Sequence, residues 1–339
     1  MPLPPLSYAQ RFEDFHLARC FEGKADGFYV DVGAGHPVYD NVSFAFYLAG
    51  WRGITVEPNP TLAALGRAVR PRDKLYEGLA GAAPGEATLY LQREFHGLST
   101  TIAEHARAAE KEVGRTPEPV TVPVTTLSAL CAQHAPAAID FLKVDVEGAE
   151  ADVLRGADFS RHRPKVIVVE AIKPFTLAPA WDEWEPLLGS HGYAYVWDDE
   201  LNRYYVAAEA SALADKLRGG PKWYAGGPQI GHYKGAAIDP AHPDHRLALL
   251  LQDVDLANLP LTDPDVFFDM LTAGEGDLER PARATDVAAI ATRFFGDSPA
   301  VQQIVPSVGA ETIRAAYRRI IDSDAFRAAC GRIAASYAW

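Results

Sequence analysis

Short continuous apolar runs alternate with stretches of helical periodicity along the first two-thirds of the chain. Gly27–Val32 (GFYVDV) is apolar, ends in Gly33-Ala34-Gly35, and predicts a buried strand. Asn41–Ala49 predicts a helix, with Phe44, Phe46, Tyr47 and Leu48 apolar and Gly50 as its stop. Gly53–Glu57 predicts a second strand that Pro58 ends. Leu62, Leu65 and Val69, at i, i+3 and i+7, predict a helix over Thr61–Val69, and Lys74–Ala80 predicts a third strand. This β-α-β-α-β order argues for a parallel sheet covered by helices.

Residues 81–125 interrupt the alternation. Ala87–Gln92 and Val120–Val124 predict extra strands, with the loop Gly97-Leu-Ser-Thr100 and a polar helix around Thr101–Val113 between them. Order then returns as helix Thr126–His134, strand Ile139–Val144, helix Ala149–Arg155, strand Val166–Glu170 and helix Trp181–His191. Tyr193–Trp197 and Arg203–Ala207 are joined only by Asp198–Asn202. A parallel pair needs a crossover of about a dozen residues or more, so these two strands are antiparallel. The expected fold is α/β: a mostly parallel, seven-stranded, Rossmann-like sheet with a late antiparallel strand. That is the class I methyltransferase plan, whereas a nicotinamide-binding domain stays parallel throughout.

Beyond Ala210 the pattern changes. Residues 211–240 are rich in Gly and Pro around Trp223, Tyr224 and Tyr233, and read as a linker or packed loop. Residues 241–339 predict a small helical domain from His245–Leu256, Asp265–Leu271, Arg283–Phe295, Glu311–Ile321 and Ala325–Ser336, the last capped by Ser323-Asp324. Residues 1–210 are left as the α/β domain. The helical part either sets acceptor choice or builds a homodimer.

Composition narrows the classes. The chain has 339 residues and a formal net charge of −13, of which −10 falls on residues 1–210. Neither part has the basic excess of a nucleic-acid binder, and an anionic membrane surface would repel both. No apolar run reaches the ~20 residues of a transmembrane segment, and the N-terminus lacks the pattern of a signal peptide. Three cysteines far apart, Cys20, Cys131 and Cys330, fit free thiols in a reducing compartment. The expectation is a cytoplasmic protein.

The chemistry gathers at strand ends. Gly33 and Gly35 allow a tight turn and close backbone approach to a ligand, but a dinucleotide fingerprint would need a third glycine where Val38 stands. Glu57 ends the next strand, where a carboxylate accepts both hydroxyls of an adenosine ribose. Asp31, Glu57, Asp145 and Glu170 all fall at or near carboxyl ends of strands, the ligand-binding rim of an open α/β sheet. Glu147 and Glu150 follow Asp145 directly and serve equally as helix caps. Trp181 and Trp184, at helical spacing, are more often core than a sugar platform. Asp198, Asp199 and Asn202 suit a turn or sugar hydroxyls. His232, His242 and His245 match no ligand spacing and read as surface or capping residues.

Several strings, in order, resemble FkbM-type methyltransferases. They are Ser7-Tyr-Ala-Gln-x-x-Glu-Asp14, Phe28-Tyr-Val-Asp-Val-Gly-Ala-Gly35 and Gly50-Trp-Arg-Gly-Ile-Thr-Val-Glu-Pro58, then Gly97-Leu-Ser-Thr100, Phe141-Leu-Lys-Val-Asp-Val-Glu-Gly-Ala-Glu150 and Val153-Leu-Arg-Gly156. The resemblance spans about residues 7–208. It implies S-adenosyl-L-methionine as donor and O-methylation of a sugar, glycan or glycosylated small-molecule hydroxyl. By position it implies that Asp31, Gly33, Ala34, Gly35, Glu57 and Pro58 line the donor, with Gln10 and Glu13 closing over it. His36 departs from the small polar or acidic residue expected there.

An alcohol needs a base or a metal to become a nucleophile. Asp145 is the first candidate base and His96 the second, with Glu147 beside them. Asp145 and Glu170 are alternatively ligands of Mg2+. The rival functions are an NAD-dependent oxidoreductase and a non-catalytic glycan-binding or scaffold protein.

Overall fold

The computed structural model describes residues 4–93, 95–173, 178–218, 227–296 and 311–337. They form two compact units, one of Met1–His36, Asp40–Arg67 and Pro71–Gly227, the other of Pro37–Tyr39, Ala68–Arg70 and Pro228–Trp339. Among the described residues no helix is long and apolar enough to cross a membrane, and the three cysteines are buried and free.

The first unit holds ten strands: β1 (Phe28–Val32), β2 (Arg52–Val56), β3 (Lys74–Tyr76), β4 (Leu79–Ala80), β5 (Gly85–Leu91), β6 (Glu118–Thr125), β7 (Ile139–Val144), β8 (Pro164–Glu170), β9 (Tyr193–Asp198) and β10 (Asn202–Ala207). Seven of them form one sheet in the order β3-β2-β1-β7-β8-β10-β9. All neighbours from β3 to β8 run parallel. β10 is antiparallel to both β8 and β9. The tight connection folds β10 back between β8 and β9, so the reversed strand lies inside the sheet. This is the expected class I, Rossmann-like arrangement.

The expected strand Lys74–Ala80 is two strands. After Tyr76 the amide of Gly78 donates to the Glu57 carbonyl, and the chain leaves the main sheet. Leu79–Ala80 then joins β6 and β5 in a separate three-stranded sheet. The interruption over 81–125 is therefore a small subdomain of its own, completed by helix α4 (Ala103–Val113).

The other helices of this unit are α1 (Glu13–Cys20), α2 (Phe44–Leu48), α3 (Pro60–Val69), α5 (Leu127–His134), α6 (Glu150–Arg155), α7 (Glu185–Ser190) and α8 (Leu213–Arg218). α8 lies in the stretch read from composition as linker or packed loop. The Trp181–His191 helix breaks into a 3-10 turn, Trp181–Glu183, and α7, because Pro186 starts a new helix. Trp223 and Tyr224 lie outside the described residues.

Both central strands are fully buried, as a sheet covered on both faces requires. One face carries Val30, Val32, Ile54, Val56, Leu142 and Val144 in a single apolar cluster. The other begins aromatic: Tyr29 stacks on Phe141 at 5.6 Å between ring centroids, and Phe46 packs on Phe141 at 4.8 Å. Further along this second face the same alternation brings charge, which forms the site.

The second unit contains α9 (His245–Leu250), α10 (Pro264–Thr272), α11 (Ala284–Phe295), α12 (Ile313–Ile321) and α13 (Asp324–Ala335). Phe267, Phe294, Tyr317 and Phe326 share its core. Ser323 Oγ accepts from the Phe326 amide as the expected N-cap of α13. The predicted helix His245–Leu256 stops at Leu250. A 3-10 stretch, Leu256–Leu261, follows it, capped by Asp255.

Candidate functional site

Strand register assembles the charged rim. β1 and β7 pair so that Asp31 stands opposite Lys143. β7 and β8 pair so that Lys143 stands opposite Val168, and one pleat further Asp145 and Glu170 face the same way. Lys143 Nζ lies 3.1 Å from Asp145 Oδ2, 4.0 Å from Asp31 Oδ1 and 3.3 Å from the Gly33 carbonyl. Burial disfavours its charge, but Asp145 and Asp31 outweigh burial and hold the ammonium above its usual range. Asp31 also accepts from Ser43 Oγ.

The glycine turn packs against the loop after β7. Gly33 has φ +73, and a Cβ there would lie 1.7 Å from the Asp145 carbonyl oxygen. Only glycine fits that contact. Gly35 also has positive φ, +59, yet a Cβ there would meet nothing within 4 Å. Asn41 Nδ2 pins the turn by donating to the carbonyls of Ala34 and His36, at 2.9 and 3.1 Å.

Glu57, just past β2, faces the turn. Its Oε2 accepts from the Gly35 amide at 2.8 Å and its Oε1 from the Asn59 amide at 2.7 Å. Burial pushes the Glu57 carboxyl up to about 7, against the lowering by those two amides. Ala34 is buried beside it, and Pro58 is half-buried.

The loop after β7 carries the carboxylates. Asp145 is open to solvent, with 29% of its side chain exposed. Glu147 adopts φ +57, an uncommon conformation for a residue with a side chain. Its carbonyl oxygen accepts from Thr100 Oγ1 at 2.9 Å and faces His105 Nδ1 at 3.2 Å. Glu150 Oε1 accepts from the amides of Val146 and Gly148, both at 3.1 Å. Burial and then Asp145 push the carboxyls of Glu147 and Glu170 well above the usual range. Asp145, Glu147 and Glu170 each offer an oxygen, and the three lie within 4.8 Å of one another.

The structure brings Asp31, Gly33, Ala34, Gly35 and Glu57 together at the carboxyl ends of β1 and β2, beside Asp145. Glu147 and Glu170 join Asp145 on the neighbouring strand ends. His96 stacks on His36 at 6.5 Å between ring centroids. Burial lowers the His96 imidazole below its usual range. His36 is pulled down to about 3 by burial and then by His96. Burial thus disfavours the charged form of both rings.

Gln10 is exposed. Glu13 is buried, with Oε1 accepting from Asn202 Nδ2 at 2.9 Å. Burial and then Asp199 raise the Glu13 carboxyl to about 8. Asp199 accepts from the amides of Leu201 and Asn202 and from the Tyr204 hydroxyl. Asp199 and Asn202 therefore build the turn and anchor α1.

Three contributors escaped the sequence reading: Asp40, Thr100 and His105. Asp40 sits at φ +47 in an irregular turn, and burial lifts its carboxyl to about 6 within reach of Lys143 and Asp145. Nothing local marks it. Thr100 belongs to the Gly97–Thr100 string, which was the available signal. His105 lies on a polar helix, and only tertiary packing brings it to Glu147. Lys143 belongs to the Phe141–Glu150 string, and as the cation among these acids it is legible as their ion-pair partner. Elsewhere, Trp184 is core, and Trp181 carries the Arg203 guanidinium 4.2 Å from its ring centre. His242 accepts from the Asp244 amide, a capping role.

Residues 31–195 match the family model described as the methyltransferase FkbM domain. No curated protein and no solved structure matches the chain.

Proposed function

We propose that this chain, whose residues 31–195 form a methyltransferase domain of the FkbM family, methylates a hydroxyl oxygen of a sugar, glycan or glycosylated small molecule with S-adenosylmethionine as donor. One observation carries the reading. The Gly33–Gly35 turn, Glu57 and the solvent-reached Asp145 converge outside the carboxyl ends of β1, β2 and β7, where open α/β sheets bind ligands.

The residues suit that donor. The open space beside Gly35 leaves room for a ligand against the backbone. Each Glu57 oxygen is held by one amide and keeps a second lone pair for a ribose hydroxyl. Asp31 and Asp145, the two carboxylates nearest the turn, add negative charge beside it, which favours a cation. S-adenosylmethionine supplies a methyl carbon already activated by a positive sulfur. The protein must add alignment and a destination for the hydroxyl proton. Asp145 takes that proton directly, or it joins Glu170 in holding Mg2+. His96, stacked beside His36, is the second candidate acceptor of the proton. Gln10, which precedes α1, and Glu13, its first residue, are assigned to closing the donor side by the family resemblance alone.

The family match favours this reading over a nicotinamide-dependent oxidoreductase, and so does the reversed β10. Calorimetry with S-adenosylmethionine and with NADH separates them: the first binds and the second does not. Glu57→Gln is expected to weaken donor binding about tenfold or more, by removing a charge-assisted bond. Asp145→Asn is expected to abolish methyl transfer, followed with labelled donor on a panel of glycosides, with donor affinity kept within about tenfold. Binding of NADH alone would overturn the assignment, as would an inactive scaffold that binds neither.

A further inference from the structure

We infer that Asp145, Glu147 and Glu170 together form a site for one hard divalent cation of the Mg2+ or Mn2+ kind. Glu147 is the third ligand that the pair Asp145 and Glu170 lacks. The cation site stands on its own geometry; its role in activating the acceptor hydroxyl rests on the methyl-transfer reading.

The spacing fits. One oxygen from each carboxylate lies within 4.8 Å of the other two. An ion with oxygen ligands at about 2.1–2.4 Å spreads them roughly 3 to 4.8 Å apart. Three carboxylates are hard oxygen donors, which select Mg2+ or Mn2+ over softer metals. Three ligands also leave coordination positions open, as a catalytic ion requires.

Glu170 supplies the second, independent observation. Its neighbours on the rim have protein donors: Glu57 and Glu150 each take two backbone amides, Asp31 takes Ser43, and Asp145 takes Lys143. Glu170 is only 9% exposed. Its Oε2 is closed to solvent and receives no hydrogen bond. The charges acting on it most strongly are those of Asp145, Glu147 and Glu150, and the side chain within hydrogen-bonding reach of its carboxyl is the Asp145 carboxyl, itself an acid. A buried oxygen left among like charges is costly. A cation seated against it removes that cost.

The backbone also commits Glu147 to this place. Thr100 and His105 hold its carbonyl, while Glu150 binds the amides on either side of it. The main chain that carries the Glu147 side chain is therefore held in place by protein contacts alone. The ion contributes charge. It lowers the pKa of a hydroxyl bound to it, and the released proton leaves to water. The oxygen then bonds to the methyl carbon as the carbon–sulfur bond breaks, its electron pair staying on sulfur.

The test titrates Mn2+ into the chelator-treated full chain and follows free Mn2+ by electron paramagnetic resonance. About one Mn2+ per chain is expected, displaced by excess Mg2+. Glu147→Gln and Glu170→Gln should each weaken Mn2+ binding about tenfold or more. S-adenosylhomocysteine affinity should stay within about threefold in both. Should a variant fail to fold, the stoichiometry and the Mn2+-dependent rise in melting temperature of the unaltered protein decide the matter. Absence of saturable binding up to about 1 mM overturns the site, because even weak oxygen sites fill by then. Unchanged Mn2+ affinity in Glu170→Gln overturns it as well. Mn2+ bound as expected without methyl transfer to any acceptor sinks the functional reading instead and leaves the cation site standing. Full methyl transfer with no Mn2+ bound does the reverse.

Discussion

Gly33 and Gly35 differ in what surrounds them, and so in what an added methyl group would do. At Gly33 the Cβ would strike the Asp145 carbonyl, a backbone atom that cannot step aside. At Gly35 it would enter open space. Both residues hold positive φ, which costs an alanine about 1–2 kcal/mol. Gly35→Ala is therefore expected to lower stability by about 1–2 kcal/mol, and to cut donor affinity more than about tenfold by filling the ligand's space. Gly33→Ala is expected to cost distinctly more stability, at least about 3 kcal/mol. Urea denaturation and calorimetry on both variants check the contrast. Equal stability losses would show that the Asp145 loop yields to the methyl.

The inserted subdomain over residues 81–125 acts on the rim through one peptide group. Thr100 comes from the loop after β5, His105 from α4, and both reach the Glu147 carbonyl. They stabilise a left-handed residue that local preference disfavours. Thr100→Val removes the hydroxyl and keeps the shape. It is expected to cost about 1–3 kcal/mol. It is also expected to lower kcat with donor affinity nearly unchanged, since Glu57 and the glycine turn are untouched. Steady-state kinetics with parallel donor titration reads this. A change confined to donor affinity would mean that the subdomain serves the donor and not Glu147.

At the scale of the whole molecule, most of the −13 charge falls before residue 211, and several of those carboxylates line one rim. Such a field attracts a sulfonium or a metal ion and repels anions over about a Debye length. A neutral glycoside is expected to keep its kcat/KM within about twofold between 20 and 200 mM salt. An acidic analogue is expected to start lower and to improve severalfold over the same range as its repulsion is screened. Salt-series kinetics on the matched pair checks it. A fall with salt for the acidic acceptor would reveal a basic pocket that overrides the net charge.

Much of this was legible because it is local. Short, mostly apolar runs such as Gly27–Val32 and Ile139–Val144 dictated buried strands, since only a sheet covered on both faces tolerates near-continuous apolar residues. The five-residue link at Asp198–Asn202 dictated an antiparallel pair, since so short a chain has no room to cross over. Alternation of side chains along each strand put Asp31, Lys143 and Asp145 on one face. The rest depends on contacts between segments distant in sequence. Nothing near Lys74–Ala80 announces that it divides between two sheets, or that Thr100 and His105 meet Glu147. Glu57 reads as a free strand-end acid, yet it is held by the amides of Gly35 and Asn59. Glu170 reads as one rim carboxylate among several. Only the packed fold leaves its oxygen without a donor among like charges, because burial and register, which no local sequence sets, decide which groups share a space that water cannot enter.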